Sequence, residues 1–371
     1  MKLGEVAEIN PRTDNLEEEF VYVDLDAVEK GTLLRKKPMK KENAPSRAQR
    51  VLKHNDILFQ SVRSYQMNHF LYHVSDENQW VASTGYAQIR AFGDPSFLYY
   101  TLYTPSFNTE VSDRSTGSNY PAINQDELKR IPLRLPSLAE QKKIAALLSL
   151  IDERIEVQNA ICNYLESLIV GFYSSVQYVT KAGWHKVRLK DLLTIRKEQN
   201  TSGSYEVYSV SVSRGIVNQI VHLGRSFAAA NTSNYGVVHS GDLVYTKSPT
   251  GQFPFGIVKQ NHNASPVAVS PLYGVYRPIS PEVGTLLHYF FLSPLRANNY
   301  LAPLIQKGAK NTINIRTDHF LDNVVLLPKE EKELRCIADC LLALDERLSV
   351  EKEYAEQLKQ QKAYLLRQMF I

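Results

Sequence analysis

Basic side chains are concentrated in one short segment near the start of the chain. The segment reads Arg35-Lys36-Lys37-Pro38-Met39-Lys40-Lys41, and Arg47 and Arg50 follow it. Cations among turn-forming residues can neutralise nucleic-acid phosphates and release the counterions held there. The pattern predicts phosphate contacts by Arg35, Lys36, Lys37, Lys40, Lys41 and Arg47. A solvated loop is the alternative for any one of these residues.

A second group of side chains has the chemistry needed to read base edges. Readout in the major groove uses Arg, Lys, Asn or Gln that reach outward from an element's end. Candidates that follow predicted strands or lie in glycine-containing loops are Arg63, Arg114, Asn119, Tyr120, Arg225, Lys247, Gln252, Lys307, Lys310 and Asn311. Gly117 and Gly308 occupy equivalent loops, which pairs Asn119 with Lys310. A phosphate contact or a solvated position is the alternative for each.

Familiar catalytic motifs are absent from the sequence. It contains no GxxxxGK[ST], no HExxH, no paired CxxC and no Asn/Asp-Pro-Pro-aromatic tetrapeptide. Asp242 and Lys247 share one segment, but Asp242 reads as a turn residue, so a metal-nuclease centre there is disfavoured. Cys336 and Cys340, four apart in an apolar helical stretch, are expected in the core. We therefore expect no catalytic residue, metal or cofactor in this chain.

The composition is that of an ordinary globular protein, but the charge is unevenly distributed along the chain. The 371 residues are 43% hydrophobic and carry a net charge of +4. The excess lies in residues 183–328, which hold 14 Lys and Arg against seven Asp and Glu. The longest apolar run of the first long helix, Ile144 to Ile151, is far shorter than the roughly 20 residues of a membrane span. These features predict a cytoplasmic protein.

The chain repeats itself once. Five short segments recur in the same order after shifts of about 186 to 193 residues, which an internal duplication with small insertions explains. They are 2–6 with 188–192, 55–59 with 241–245, 83–90 with 270–277, 123–126 with 315–318, and 151–155 with 344–348. The organisation is therefore a globular unit, a long helix, a second globular unit and a second long helix.

The two helices are predicted over residues 137–178 and 329–371. Apolar residues follow a heptad pattern from Ile144 to Val176 and again from Ile337 to Met369, interrupted by Gln158, Glu351 and Lys362. Ser137 and Glu140 form a capping box. Each helix would be roughly 60 Å long. Antiparallel pairing would give a pseudo-twofold rod; two amphipathic helices packed on their own domains are the alternative.

The globular units, residues 1–136 and 184–328, have the pattern of mixed, strand-rich α/β domains. β-branched and aromatic residues form short runs at Val21–Val23, Asp56–Phe59, Val207–Val212 and Asp242–Tyr245. Turn-forming residues interrupt them about every ten positions. Residues 180–183 are the predicted linker into the second unit.

Several stretches resemble the specificity subunits of type I restriction-modification enzymes. The segment from Gly117 through the IPLRLP strand at 131–136 leads into Ala139-Glu140-Gln141-Lys142-Lys143-Ile144-Ala145. Trp184-His185-Lys186-Val187-Arg188-Leu189 resembles the opening of a target recognition domain. The chain departs from the pattern at its Met1 start, which lacks this Trp, at Asn55 in place of Gly241, and in the helix entry at 327–334.

The resemblance implies that each globular unit is a target recognition domain that binds one half of a bipartite, asymmetric DNA site. The helices would then set the gap, with an upper limit of roughly 18 base pairs from the ~60 Å helix length. Two methyltransferase subunits would use S-adenosylmethionine to methylate adenine N6, and a nuclease/translocase subunit would use ATP and Mg²⁺. These cofactors would belong to the partners. A coiled-coil interaction protein with two heads that do not bind DNA is the alternative, and a nuclease or methyltransferase with unusual motifs is a further one.

Overall fold

The computed structural model describes residues 1–179, 183–220, 231–307 and 313–370. They form two compact units, of which unit 1 comprises Met1–Asn159 with Glu353–Ile371 and unit 2 comprises Ala160–Lys352. Each unit therefore contains one globular part and about half of each long helix. No helix in the described ranges is long and apolar enough to cross a membrane.

The strands of unit 1 are short and separated by turns. In chain order they are β1 (Ala7–Ile9), β2 (Glu19–Val23), β3 (Val28–Glu29), β4 (Thr32–Leu33), β5 (Lys37–Lys40), β6 (Ala48–Val51), β7 (Ile57–Gln60), β8 (Phe70–Leu71), β9 (Trp80–Ser83) and β10 (Tyr86–Ala91). Their β-branched and aromatic residues suit pleated, half-buried surfaces. The strands predicted at 21–23 and 56–59 are confirmed as β2 and β7.

Unit 1 contains two four-stranded sheets. One has the order β1-β10-β7-β8 and is antiparallel throughout, with Ile89 opposite both Ile9 and Ile57. The other has the order β5-β2-β9-β6, in which β2 and β9 are parallel. All four residues of β7 are buried, so this strand lies inside the unit and places the residues that follow it at the edge of the core.

Three of the four short helices of unit 1 begin after a residue whose side chain accepts a hydrogen bond from one of the first free N–H groups. The helices are α1 (Leu3–Val6), α2 (Pro95–Thr101), α3 (Pro105–Arg114) and α4 (Gln125–Arg130). Asp94 caps α2 and Thr104 caps α3, and each is followed by a proline at the first helical position, where its missing N–H costs nothing. These helices pack around the first sheet through Leu98, Phe107 and Leu128.

The strands of unit 2 include the same four-stranded sheet. In chain order they are β11 (Trp184–Arg188), β12 (Leu193–Ile195), β13 (Tyr208–Ser211), β14 (Gly215–Asn218), β15 (Gly236–Val238), β16 (Leu243–Tyr245), β17 (Val258–Gln260), β18 (Val267–Val269), β19 (Gly274–Pro278), β20 (Gln306–Lys307), β21 (Ile313–Asn314) and β22 (Val324–Pro328). The sheet order β12-β19-β16-β17 reproduces β1-β10-β7-β8 strand for strand. The duplication predicted from the sequence is therefore confirmed by topology.

Further correspondences extend the duplication beyond the sheet. The pairing of β11 with β22 repeats the bridge between Lys2 and Pro132. Helices α6 (Pro281–Leu292) and α7 (Pro294–Leu301) each follow a capping serine and, like α2 and α3, begin at proline. Asn55 and Gly241, which precede the equivalent strands, both adopt positive φ, at 72° and 84°. Asn tolerates this left-handed region, which explains how it replaces glycine there.

The long helices are α5 (Leu138–Val179) and α8 (Glu331–Gln368). Ser137 and Glu140 form the predicted capping box, since each side chain bonds to the other residue's backbone N–H. Within unit 1, Asp152 pairs with Lys362 at 2.5 Å and Arg154 bonds to Tyr354 at 3.0 Å, so the two segments run antiparallel. Within unit 2, Glu166 of α5 pairs with Lys352 of α8 at 2.6 Å.

Every position of the two predicted heptad seams is buried or half-buried. The polar interruptions lie in the seam as predicted: Gln158 and Glu351 are buried, and Glu351 pairs with Arg347 one turn away. Lys362 is half-buried between Asp152 and the rings of Tyr100 and Tyr103. Its ammonium group therefore has a charged partner at a seam position that an apolar side chain would normally occupy.

One expectation about the helices is wrong. Cys336 and Cys340 were expected in the core, but both are exposed because they fall on the outward side of the seam that begins at Ile337. Four-residue spacing puts two side chains on the same helix face but does not say which face is buried. Cys162, which lies in the seam, is buried.

A buried carboxylate recurs in both units. Asp56, fully buried in unit 1, accepts two hydrogen bonds of 2.8 Å from Arg90, one of 2.7 Å from the Gln88 amide and one of 2.7 Å from the Lys53 backbone. Asp242, at the equivalent position of unit 2, is also buried but is neutralised by a different arginine, Arg196. Asp242 therefore has a structural partner, in keeping with its expected role at the entry to a strand.

Candidate nucleic-acid interface

A polar cleft of about 540 Å³ opens at one end of the four-stranded sheet of unit 2. Four cations line it: Arg196 and Lys197, which follow β12, Lys247, which follows β16, and Arg316. Glu198 and Asp318 add negative charge, and Gln199 and Asn234 add amide groups. The cleft therefore presents both hydrogen-bond donors and acceptors, which is the chemistry that phosphates and base edges require.

Arg196 is the most constrained cation of the cleft. Its Nε and Nη2 donate to the two carboxylate oxygens of Asp242 at 2.5 and 3.0 Å, and its Nη1 lies 3.6 Å from Glu198. A bidentate pair with a buried carboxylate fixes the guanidinium plane. Arg196 therefore forms part of the cleft wall, while its charge is largely neutralised from within the unit.

Lys197, Lys247 and Arg316 are the cations that the cleft offers to a ligand, and Lys197 is exposed. Lys247 donates from Nζ to the Thr317 hydroxyl at 2.8 Å, and burial lowers the pKa of its ammonium, an effect that Asp318 opposes. Lys247 also has a φ of 61°, in the left-handed region that lysine rarely adopts. The Arg316 side chain is 62% exposed and pairs only with the exposed Asp318 among the described residues.

A tight approach of backbone holds Lys247 in place. Gly256 has a φ of 98°, and a Cβ added there would lie 2.8 Å from the Lys247 backbone nitrogen. Only glycine fits this position without displacing the neighbouring chain. The backbone of Lys247 therefore packs directly against Gly256.

The basic segment of unit 1 is paired with acids that are distant in sequence. Arg35 and Lys37 both lie within 3.5 Å of Asp24, Lys36 lies 3.2 Å from Asp76, and Lys41 lies 3.9 Å from Glu18. Lys40 and Arg47 are exposed. Exposed ion pairs contribute less than about 1 kcal/mol, so phosphates could replace these carboxylates. The predicted phosphate contacts stay predictions.

Arg63 and Tyr120 are brought together in unit 1, although 57 positions separate them in the sequence. The Arg63 guanidinium lies 4.4 Å from the centroid of the Tyr120 ring, and the Arg63 backbone N–H donates to Pro121 at 2.8 Å. Asn119 and Tyr120 are exposed beside Gly117, which has a φ of 101°. The glycine loop and the segment after β7 thus form one surface.

Beneath this surface lies a buried histidine. The His69 ring stacks on Phe59 with centroids 4.5 Å apart, and its Nδ1 accepts the Gln60 backbone N–H at 3.1 Å. Burial lowers the pKa of His69 to about 3, so the ring is neutral in the folded unit at neutral pH. This neutral acceptor fixes the end of β7.

The other predicted contact residues fall into three groups. Arg114 pairs with Glu110 at 2.7 Å and Glu127 at 3.3 Å, so its side chain ties α3 to α4. Gln252 is exposed, and its carbonyl accepts from Asn298 at 3.2 Å. Lys307 ends β20, while Arg225, Lys310 and Asn311 lie outside the described residues.

Sequence reasoning missed Arg196, Lys197 and Arg316 of the cleft. Arg196 and Lys197 directly follow β12, which is not among the strands predicted from the sequence. Arg316 lies inside one of the matched segments, at the place that Asn124 occupies in the first copy. In the ranges described, no group of three or more His, Cys, Asp or Glu is arranged to hold a metal ion.

Comparison with known families and proteins places these features in context. Residues 1–167 match the model of the type I restriction modification DNA specificity domain. The type I restriction enzyme MjaIX specificity subunit of Methanocaldococcus jannaschii is 26% identical over 122 residues, which is 28% of either chain. The HindI specificity subunit of Haemophilus influenzae is 24% identical over 140 residues, 36% of this chain and 30% of the relative. The matches thus span under a third of each relative's length.

Similarity in fold extends over the whole chain. A type I restriction-modification S subunit from M. genitalium aligns with a TM-score of 0.60 at 14% identity, covering 100% of this chain and 95% of the other. A chain from a study of complex assembly and conformational transition of the type I restriction-modification system aligns with a TM-score of 0.55 at 22% identity, covering 99% and 95%. At sequence identities of 22% and below, the similarity shows a shared fold only.

Proposed function

We propose that this chain, whose residues 1–167 match the model of the type I restriction modification DNA specificity domain, binds a bipartite, asymmetric DNA site and directs its partners to it. Residues 1–136 and 184–328 would be the two target recognition domains, and the two long helices would set the gap between the half-sites. The partners would methylate adenine N6 or cleave the DNA.

One observation carries this proposal: a single topology recurs in both units but presents different surface chemistry in each. Unit 2 offers a cationic cleft around Lys247 and Arg316, whereas unit 1 offers Arg63 stacked on Tyr120. A duplicated scaffold with unlike recognition surfaces is suited to two unlike half-sites. A protein that bound one symmetric site would have no use for the difference.

The long helix α5 supports the proposal of methyltransferase partners. Besides the buried seam, it carries exposed apolar residues at intervals of three, four and seven positions, a spacing that forms a second stripe. In unit 1 these are Leu147, Leu150 and Val157, and in unit 2 they are Ile161, Tyr164 and Leu168. Exposed apolar stripes of this kind mark surfaces for protein partners.

Catalysis would reside in those partners. The two relatives compared above are named as specificity subunits. We propose two methyltransferase subunits that use S-adenosylmethionine, and a nuclease/translocase subunit that uses ATP and Mg²⁺. The chain itself would act in the cytoplasm as the DNA-binding subunit without a cofactor of its own.

The deciding experiment maps N6-methyladenine in cells that contain the methyltransferase subunit of the same genome, with and without this chain. We expect one split motif to be methylated only when the chain is present. A control uses the same cells with the empty vector. If the methyltransferase is active and no motif depends on the chain, the proposal is wrong and the interaction-protein alternative gains support. Binding of the purified chain to DNA at increasing salt distinguishes the two functions, because only a DNA-binding protein has an affinity for DNA that falls as salt rises.

A further inference from the structure

The loop at residues 61–68 of unit 1, called the reading loop, lies at the surface but is held by hydrogen bonds from within the unit. Its base is the buried Gln60, whose amide donates to Gln66 at 2.7 Å and whose oxygen accepts the Asn68 N–H at 3.0 Å. Ser64 is buried within the loop. These contacts determine the loop's conformation without any external ligand.

Two residues of the reading loop have unusual backbone geometry. Arg63 and Met67, with φ of 55° and 51°, flank the single turn Ser64–Gln66. Neither is a residue type that favours the left-handed region. Such strain persists only when surrounding structure imposes it, and it concentrates at functional sites. The strain turns the chain so that Arg63 meets the glycine loop, where Val62 bridges to Ala122.

The reading loop also differs electrostatically from the paired cations of unit 1. It contains no acidic residue. Arg35, Lys36, Lys37, Lys41 and Arg114 all pair with carboxylates. Arg63 pairs with no carboxylate in the described part of the chain. Its guanidinium instead faces the ring of Tyr120, which is 61% exposed, so its hydrogen-bond donors stay available to a ligand.

We propose that Arg63 reads a guanine base in the half-site bound by unit 1. This inference rests on the proposed function and specifies the residue and the base. The planar guanidinium donates two parallel hydrogen bonds that match O6 and N7 of guanine in the major groove. The Tyr120 ring, whose centroid lies 4.4 Å from the guanidinium carbon, restricts where that group can lie. A phosphate contact needs only charge, which unconstrained Lys40 and Arg47 already provide, so it does not account for a strained, oriented arginine.

The test uses the full chain with its methyltransferase partners and duplexes derived from the methylated motif. Each G·C pair of the half-site is replaced in turn, and binding is measured for the wild type and Arg63→Ala. We expect Arg63→Ala to weaken binding to the intact duplex roughly 5- to 150-fold. The loss should vanish on the one duplex in which the contacted G·C pair is already replaced. Lys40→Ala, a matched removal of an exposed cation, should not change base preference.

Companion variants separate recognition from folding. Arg63→Gly removes the same side chain but accepts the left-handed backbone, so it should reproduce the effect of Arg63→Ala with unchanged thermal unfolding. Tyr120→Ala should weaken discrimination at the same base pair, and Tyr120→Phe should retain it.

The results that would contradict the inference differ from the result that would contradict the proposed function. A loss that is equal on every duplex, accompanied by a fall of about 0.9 in the log–log salt slope, would identify a phosphate contact and overturn the inference. Wild-type affinity in Arg63→Ala would overturn it as well. If the wild-type complex prefers no duplex over another, the proposed function itself fails, which is a different result from either.

Discussion

Removal of the buried carboxylate of unit 1 should be among the most damaging single changes to its stability. Asp56 is 0% exposed and accepts four hydrogen bonds, two of them from Arg90. Asp56→Ala would leave the Arg90 charge without its carboxylate and would remove one of two acceptors of the buried Gln88 amide, which keeps the Val51 carbonyl at 2.9 Å. Breaking one partner of a buried ion pair costs about 3–5 kcal/mol. Because the Arg90 side chain is 30% exposed and keeps some solvation, we expect about 3 kcal/mol.

Native-state hydrogen exchange followed by mass spectrometry measures this cost unit by unit. Peptides covering β7 and β10 should lose roughly 100-fold in protection, since every 1.4 kcal/mol corresponds to a factor of ten. Unit 2 peptides provide an internal reference. Glu18→Ala, which removes the exposed partner of Lys41, is the matched control and should cost less than about 1 kcal/mol. A loss below about 1 kcal/mol for Asp56→Ala, or an equal loss in unit 2, would refute the reasoning.

Two further predictions concern the seam and the buried histidine. Lys362→Ala should destabilise the helix segments of unit 1 by about 2 kcal/mol, because Asp152 loses its charged donor. Lys362→Met should cost less, because its long side chain still fills the seam. Equal rates of amide hydrogen exchange in the two variants would contradict this prediction. His69 stays neutral in the fold, so the unfolded chain takes up a proton below pH 6.5 that the folded unit does not. That proton should cost unit 1 about 2 kcal/mol between pH 7 and pH 5. In denaturant titrations, the stability difference between wild type and His69→Gln should shrink over that range, and a constant difference would exclude this linkage.

Local periodicity was enough to predict the duplication and the helix seams. The matched segments and the heptads depend only on the spacing of residues along the chain, and such local patterns determine local structure. Ser137 and Glu140 likewise act within one helical turn, so the start of α5 could be located from the sequence. Strand positions followed from runs of β-branched residues, with errors of one or two residues at the ends.

Long-range pairing could not be predicted. Nothing in the sequence indicates that Asp24 and Asp76 form ion pairs with the basic segment. The sequence therefore predicts unpaired cations there, whereas most of them are paired in the structure. The cleft of unit 2 combines residues near 196, 247 and 316, and its membership depends on sheet order. The exposure of Cys336 shows the same limit on a smaller scale, because periodicity gives a helix two faces and tertiary packing selects one.

The exchange of arginines around the repeated carboxylate links the stability of unit 2 to its surface. Unit 2 retains Arg277 at the repeat position of Arg90, yet Asp242 is neutralised by Arg196, whose counterpart in the first copy is Asn10. In unit 1 the arginine that holds the buried acid lies on β10, away from Arg63 in the sequence. In unit 2 the arginine that holds the acid also lines the cleft. A substitution at residue 196 would therefore change the cleft surface and the support of the buried acid together.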